Sequence, residues 1–322
     1  QRVAKKYLGP ACVVLEVSPG NEVKITPDPR IPAEEAREKM SGKMDDSPLP
    51  VGDGRAAAED ESRLTLPKPG PTPKFALPPF KRTRLSNGMK VIVVERHELP
   101  IAALNVLFPV GKTSDPDAKL GLADLVSAVW DEGTKIRTAE QIADELGGLG
   151  ASMSFGTSWD ATAARLFTLK RHLPKALDVF ADVLRHPLFP EKELNREKRM
   201  MLSGLMMIRN EPNALAHLAV GPSLYGDACP YGRFPLGTPA TLKAIAQTDL
   251  MHFCQTRYRP DQATLIAVGD ITIDELAREL ERVFADWKPA AGEAPAVEFP
   301  PLPEAKPTRI ILIDRPGAAQ SV

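Results

Sequence analysis

Several features that would assign this 322-residue sequence quickly are scarce or absent. Cysteine is rare: Cys12, Cys229 and Cys254 form no C-x-x-C pair, and an odd count argues against a disulfide framework. Buried free thiols are the expectation. No apolar run approaches the roughly 18 residues of a membrane-spanning helix, so no span is expected. Neither sign of charge is in excess, with 41 Lys and Arg against 42 Asp and Glu and a net charge of −1. Nucleic acid and anionic membrane surfaces therefore have no basic field to recognise. The five histidines (His97, His172, His186, His217 and His252) are scattered and form no i, i+4 pair, and "HELP" at 97–100 is not H-E-x-x-H. What is present is 43% hydrophobic residues, enough for a sizeable core, over a length suited to about two domains.

The prolines and glycines organise the chain. "QRVAKKYL" reads as the middle of a helix, and "RPGAAQSV" at the other end reads as the start of a strand, so the sequence reads as an internal piece of a longer protein. Residues 5–20, "KKYLGPACVVLEVSPG", echo 256–270, "TRYRPDQATLIAVGD": helix end, tyrosine, proline turn, apolar strand, glycine. Such an echo marks a repeated unit. Residues 1–26 are thus expected to end one domain. Residues 27–80, rich in Pro, Gly and charge, form a stiff linker with one short helix at 33–42. Residues 81–290 are a complete domain, and 291–322 a connector with the first strand of the next.

Within 81–290 the elements alternate. "TRLSNGMKVIVVER" reads as a hairpin on its Asn-Gly turn. "AALNVLFPVG" is a third strand, and "GLADLVSAVWDEGT" (121–134) a helix closed by Gly133. "TAEQIADELGGLG" is a helix with Thr138 as N-cap and Gln141 completing a capping box, ended by Gly147 and Gly148. Two strands follow in 151–170, then helices at 172–187, 190–210 and 212–226, two short ones in 238–258, a strand at 263–270 and an amphipathic helix at 272–287. Hairpins interleaved with helices predict an α+β fold, helices packed on a mostly antiparallel sheet.

Laid out in this order, residues 83–290 resemble the M16 metallopeptidase family, which includes pitrilysin, insulysin and the mitochondrial processing peptidase. "LSNGMKVIVVERHELP" is similar to the family's opening hairpin. "GLADLVSAVWDEGT" stands where the family has G-L-A-H-x-x-E-H-x-x-x-x-G-T. "GASMSFGTSWDAT" matches the strand usually read G-A-x-x-N-A-x-T-x-x-D-x-T. "ELNREKRMMLSGLMMIRNEP" resembles the helix that supplies the last metal ligand, and "LYGDACPYGRFPLGTPATLKAI" and "YRPDQATLIAVGDI" resemble later signatures.

The same correspondence removes the chemistry. The family binds zinc with two histidines and a distant glutamate, and the glutamate within the motif activates water. Zinc requires N, S or O donors, and water activation requires a base in reach. Here Asp124 stands at the first histidine position, Ser127 at the general base, Ala128 at the second histidine, and Gly204 (or Ser203 in a slipped register) at the third ligand. One possible donor remains, so no metal site and no catalytic residue is expected in this chain. The substrate-pinning Asn-Ala of the edge strand reads Ser154-Phe155, whose backbone can still pair with a peptide by strand addition.

The resemblance implies the non-catalytic half of a zinc metalloendopeptidase: this unit helps enclose peptide, and zinc and catalysis belong to an H-x-x-E-H domain elsewhere. Its expected partners are that active half, in the same chain or a homologous subunit, and the peptide. Two rivals stand beside it: a purely structural member of the fold with no active half, and a hydrolase using other residues of this chain. Long tandem M16 chains point to a bacterial periplasm or cell envelope. Met200, Met201, Met206 and Met207, two pairs six apart mostly on one helix side, read as core packing, with an adaptable surface as the alternative. Cys229 reads as a turn residue, and Arg165 and Arg171 as surface charges.

Overall fold

Strict alternation drives the sheet. In "IAALNVLF" every second residue (Ala102, Leu104, Val106, Phe108) is fully or almost fully buried, while Ala103 between them is exposed. Successive strand side chains point to opposite faces, so one face is core and the other is not. A computed structural model describes residues 70–72, 76–208 and 210–301, and the chain divides into a unit of residues 1–74 and one of residues 75–322. The expected domain end at 1–26, the echo at 5–20, nearly all of the linker with its helix at 33–42, and the expected strand of a following domain lie outside the described residues.

The described residues form six strands: β1 (Lys81–Arg84), β2 (Lys90–Glu95), β3 (Ile101–Phe108), β4 (Ser152–Thr157), β5 (Thr162–Leu169) and β6 (Thr264–Gly269). They make one sheet in the order β1-β2-β6-β3-β5-β4. Only the β2–β6 pair is parallel. That pairing closes a long connection, because β6 inserts between β2 and β3 after all but one of the α-helices. Those helices are α1 (Leu122–Val129), α2 (Ala139–Leu149), α3 (Leu173–Arg185), α4 (Glu191–Ile208), α5 (Pro212–Tyr225), α6 (Pro239–Ala244), α7 (Gln247–Arg257) and α8 (Ile273–Phe284). The fold is α+β, as the hairpin-and-helix order predicts.

Local chemistry sets the helix ends. At α2 the Thr138 hydroxyl accepts from the Gln141 N–H while the Gln141 side chain accepts from the Thr138 N–H, the expected capping box. The expected stop at Gly147 and Gly148 is wrong: α2 runs through both to Leu149. It ends at Gly150, whose φ of +62° is the left-handed conformation glycine adopts without steric cost. Gly133 likewise does not close α1, which ends at Val129.

Trp130 is where the layers meet. It is fully buried, its indole N–H donates to the Val183 carbonyl of α3, and its ring stacks on Phe155 of β4 at 5.1 Å between centroids. Tyr258 and Phe108 complete the aromatic cluster. Replacing Trp130 by alanine is expected to destabilise the domain by about 3–5 kcal/mol, the usual range for deleting a buried large aromatic. Urea unfolding measures it, and a loss below about 1 kcal/mol would show that the cluster is not the core's centre.

Candidate functional site

Asp124, Ser127 and Ala128, three of the positions singled out in the sequence, lie on α1. This short helix begins at Gly121 (φ +95°) and is capped from outside by Asp115, whose two carboxylate oxygens accept from the backbone N–H groups of Gly121 (2.8 Å) and Ala123 (2.9 Å). A carboxylate at a helix N-terminus satisfies donors that no turn of the helix can reach. Thr157, at the end of β4, donates from its hydroxyl to the Ala123 carbonyl and so ties the edge strand to α1.

Asp124, in the first turn, does not face open solvent. The Lys112 ammonium lies 2.9 Å from its Oδ2, with the two side chains only 16% and 18% exposed. The contact is a close, largely buried ion pair. Burial pushes the Asp124 carboxyl above the usual carboxylate range, and Lys112 opposes that. Ser127 is turned back on its own helix, its hydroxyl donating to the Asp124 carbonyl at 3.0 Å. Ala128 is exposed. Gly204 lies on α4, which packs against α1, and a Cβ at that position would meet no other atom within 4 Å. Together these four positions supply one carboxylate and one committed hydroxyl. Among the described residues no three His, Cys, Asp or Glu side chains converge as a metal-ligand set. The residues present do not fit a catalytic zinc ion, which needs about three protein donors.

Ser154 and Phe155 lie together on β4, the edge strand, but they face opposite ways. Ser154 is exposed and Phe155 is turned inward onto Trp130. Any contact of Phe155 with a peptide therefore falls to its backbone. Ser154 stands opposite Arg165 on the sheet face that carries no helix layer among the described residues, beside Phe167, Ile266 and Val268, in a depression of about 440 Å³. Asn105 Oδ1 in the same depression is buried without a hydrogen-bond donor among the described residues. Arg165 is exposed, as expected of a surface charge. The methionine reading divides: Met201 packs against the core, whereas Met200, Met206 and Met207 are all more than half exposed, so core packing does not hold for those three. Cys229 is a buried thiol that precedes a short turn, and Cys254 is buried as well.

Sequence reasoning missed Lys112 and Asp115. Both lie in the segment between β3 and α1, which sequence alone reads only as a polar loop. A "GK" directly after a strand and an aspartate six residues before a helix are the only signals, and neither specifies its partner.

The chain can now be set beside known proteins. A family model described as insulinase (peptidase family M16) matches residues 90–227, and one described as the peptidase M16 inactive domain matches residues 244–322. The Bacillus subtilis protein named "Uncharacterized zinc protease YmxG" is 26% identical over 71% of this chain and 56% of its own length. A probable mitochondrial-processing peptidase subunit beta of Arabidopsis thaliana is 26% identical over 65% of this chain and 39% of its own. Among solved structures, a peptidase M16 inactive domain from Pseudomonas fluorescens superposes with a TM-score of 0.63 at 29% identity, covering 68% of this chain and 54% of that one. The Escherichia coli periplasmic protease PqqL shares the fold (TM-score 0.61, 20% identity, 69% of this chain and 25% of that one). The α+β fold and these matches define the class as that of the M16 peptidase domains. The chain belongs to peptidase family M16. It spans about half the length of the curated relatives it matches.

Asp115 gives the site a pH dependence. Burial pushes its carboxyl up to about 7, with the Ala123 and Gly121 N–H groups opposing and Asp124 adding to the rise. A carboxyl raised in the folded state holds its proton longer there than when unfolded. Its contribution is therefore complete below the unfolded value of about 3.9 and is lost as pH rises to 7. The stability difference between the native chain and Asp115→Asn is expected to shift against the native chain between pH 4 and 7. A difference that stays flat over that window in paired urea titrations would contradict it.

Proposed function

We propose that this chain is a non-catalytic unit of an M16-type zinc metalloendopeptidase. It holds peptide by backbone pairing along β4 while an H-x-x-E-H domain outside this sequence supplies zinc and cleaves. The observation that carries the reading is the combination on adjacent elements: an edge strand in place and tied to α1 by Thr157, beside a motif in which Asp124, Ser127, Ala128 and Gly204 supply neither a metal set nor a free base. An unpaired strand edge offers alternating N–H and C=O groups to an extended peptide. Ser154 adds a small polar side chain on the exposed face, and Phe155 fixes the strand from beneath.

The helix-free sheet face supports a partner. Phe167 and Val268 are each about two-fifths exposed there, around the orphaned Asn105 carbonyl and the Arg165 guanidinium. Exposed apolar surface of this kind marks a contact with another unit, and the active half of the same chain or a homologous active subunit fits that role. The domain boundary at 290/291 belongs to the same reading. So does a periplasmic or cell-envelope location, supported by the likeness to a protease described as periplasmic. No described helix is long and apolar enough to cross a membrane.

The full chain is expected to retain an extended peptide and to lose it when alternate backbone amides of that peptide are N-methylated in one register, by roughly tenfold or more given about 1 kcal/mol per hydrogen bond. Methylation in the other register, where the N–H groups point away, should be tolerated. Equal loss in both registers, or none in either, would rule out strand addition.

A further inference from the structure

The segment that carries Lys112 is unusually well fixed. At Gly111 a Cβ would come within 2.4 Å of the Trp159 carbonyl, so only glycine permits the approach of the β3 exit to the β4–β5 turn. The Lys112 N–H then donates to Ser158 O at 3.0 Å and the Thr113 N–H to Trp159 O at 2.9 Å. The side chain of a lysine held in this way reaches across to α1 and ends 2.9 Å from Asp124.

Charge supplies the second observation. Of the four positions that correspond to the metal site, Ser127, Ala128 and Gly204 are uncharged, and Asp124 alone carries a negative charge. Lys112 carries one positive charge. The neighbouring Asp115 is matched separately by two backbone N–H groups, and Arg233 on the far side of that loop is engaged with Asp117 and the Asp115 carbonyl. Lys112 is therefore the cation placed directly against Asp124, in the position where a divalent ion bound to that carboxylate would sit.

We infer that the Lys112 ammonium is a built-in cation that takes the electrostatic place of a metal ion beside Asp124 and bars divalent cations from it. The inference rests on the reading of Asp124 as a degenerate ligand position but not on peptide binding. It predicts a domain whose α1 is held to the sheet by the chain's own charge, so that chelators leave its stability unchanged. Removing one member of a partly buried pair strands the other charge, whereas removing both leaves nothing to solvate.

Two sets of variants in the full chain test this by urea unfolding. Lys112→Met is expected to lower the folding equilibrium constant by roughly a hundredfold or more, and adding Asp124→Leu to it should recover most of the loss. A double variant no more stable than Lys112→Met would overturn the pairing. The metal arm uses Lys112→His, which removes the fixed charge and places an imidazole opposite the carboxylate. Millimolar zinc is expected to raise the unfolding midpoint of Lys112→His, to leave the native chain unmoved, and to lose its effect in Lys112→His/Asp124→Asn. An equal zinc shift in the native chain, or none in Lys112→His, would show that Lys112 is not what keeps the cation out. Neither arm involves peptide, so its failure is distinguishable from failure of the strand-addition reading.

Discussion

Among the described residues, one sheet face is covered by helices and the other is left without them, and this is the constraint on which the rest depends. Alternation along β3, β5 and β6 sends Leu104, Val106, Leu166 and Leu265 into the core and leaves Arg165, Phe167 and Val268 on the other side. Every helix that positions the site, α1 above all, is placed by packing on the covered face. Trp130 fastens that arrangement, because a single side chain touches α3 through its N–H and β4 through its ring. The edge strand and the degenerate motif are neighbours for that reason, although some thirty residues separate them in sequence.

Inside this frame the motif of α1 has been taken over by structural bonds. Asp115 caps the helix, Ser127 is bonded to its own backbone, and Asp124 is matched by a lysine from the preceding loop. The Ser127 hydroxyl proton and the Asp124 charge are thus each engaged within the chain. A carboxylate kept in a partly buried place is costly without a partner, and the partner here is covalently part of the chain. The scaffold can therefore persist without the chemistry that shaped its sequence frame.

Most of the fold was legible in the sequence because it is written in local signals. The Asn-Gly hairpin, the Thr138–Gln141 capping box and the period-two strands are each short-range patterns, and each stands where the sequence places it. The end of α2 is not legible at Gly147 and Gly148 because both keep helical backbone and the left-handed residue is Gly150, while α1 already ends at Val129, four residues before Gly133. The exposed methionines were misread because spacing shows which residues share a helix side but not which side is covered. Lys112 and Asp115 were illegible because their partners are chosen by tertiary placement of a loop, which carries no periodicity.

The most direct test of the account is to incubate the full chain with an extended peptide and saturating zinc, and to follow the peptide by mass spectrometry while binding is followed in parallel. The account predicts that the peptide is bound and recovered intact. Fragments that accumulate with time and vanish on replacing Ser127 or Asp124 would contradict it.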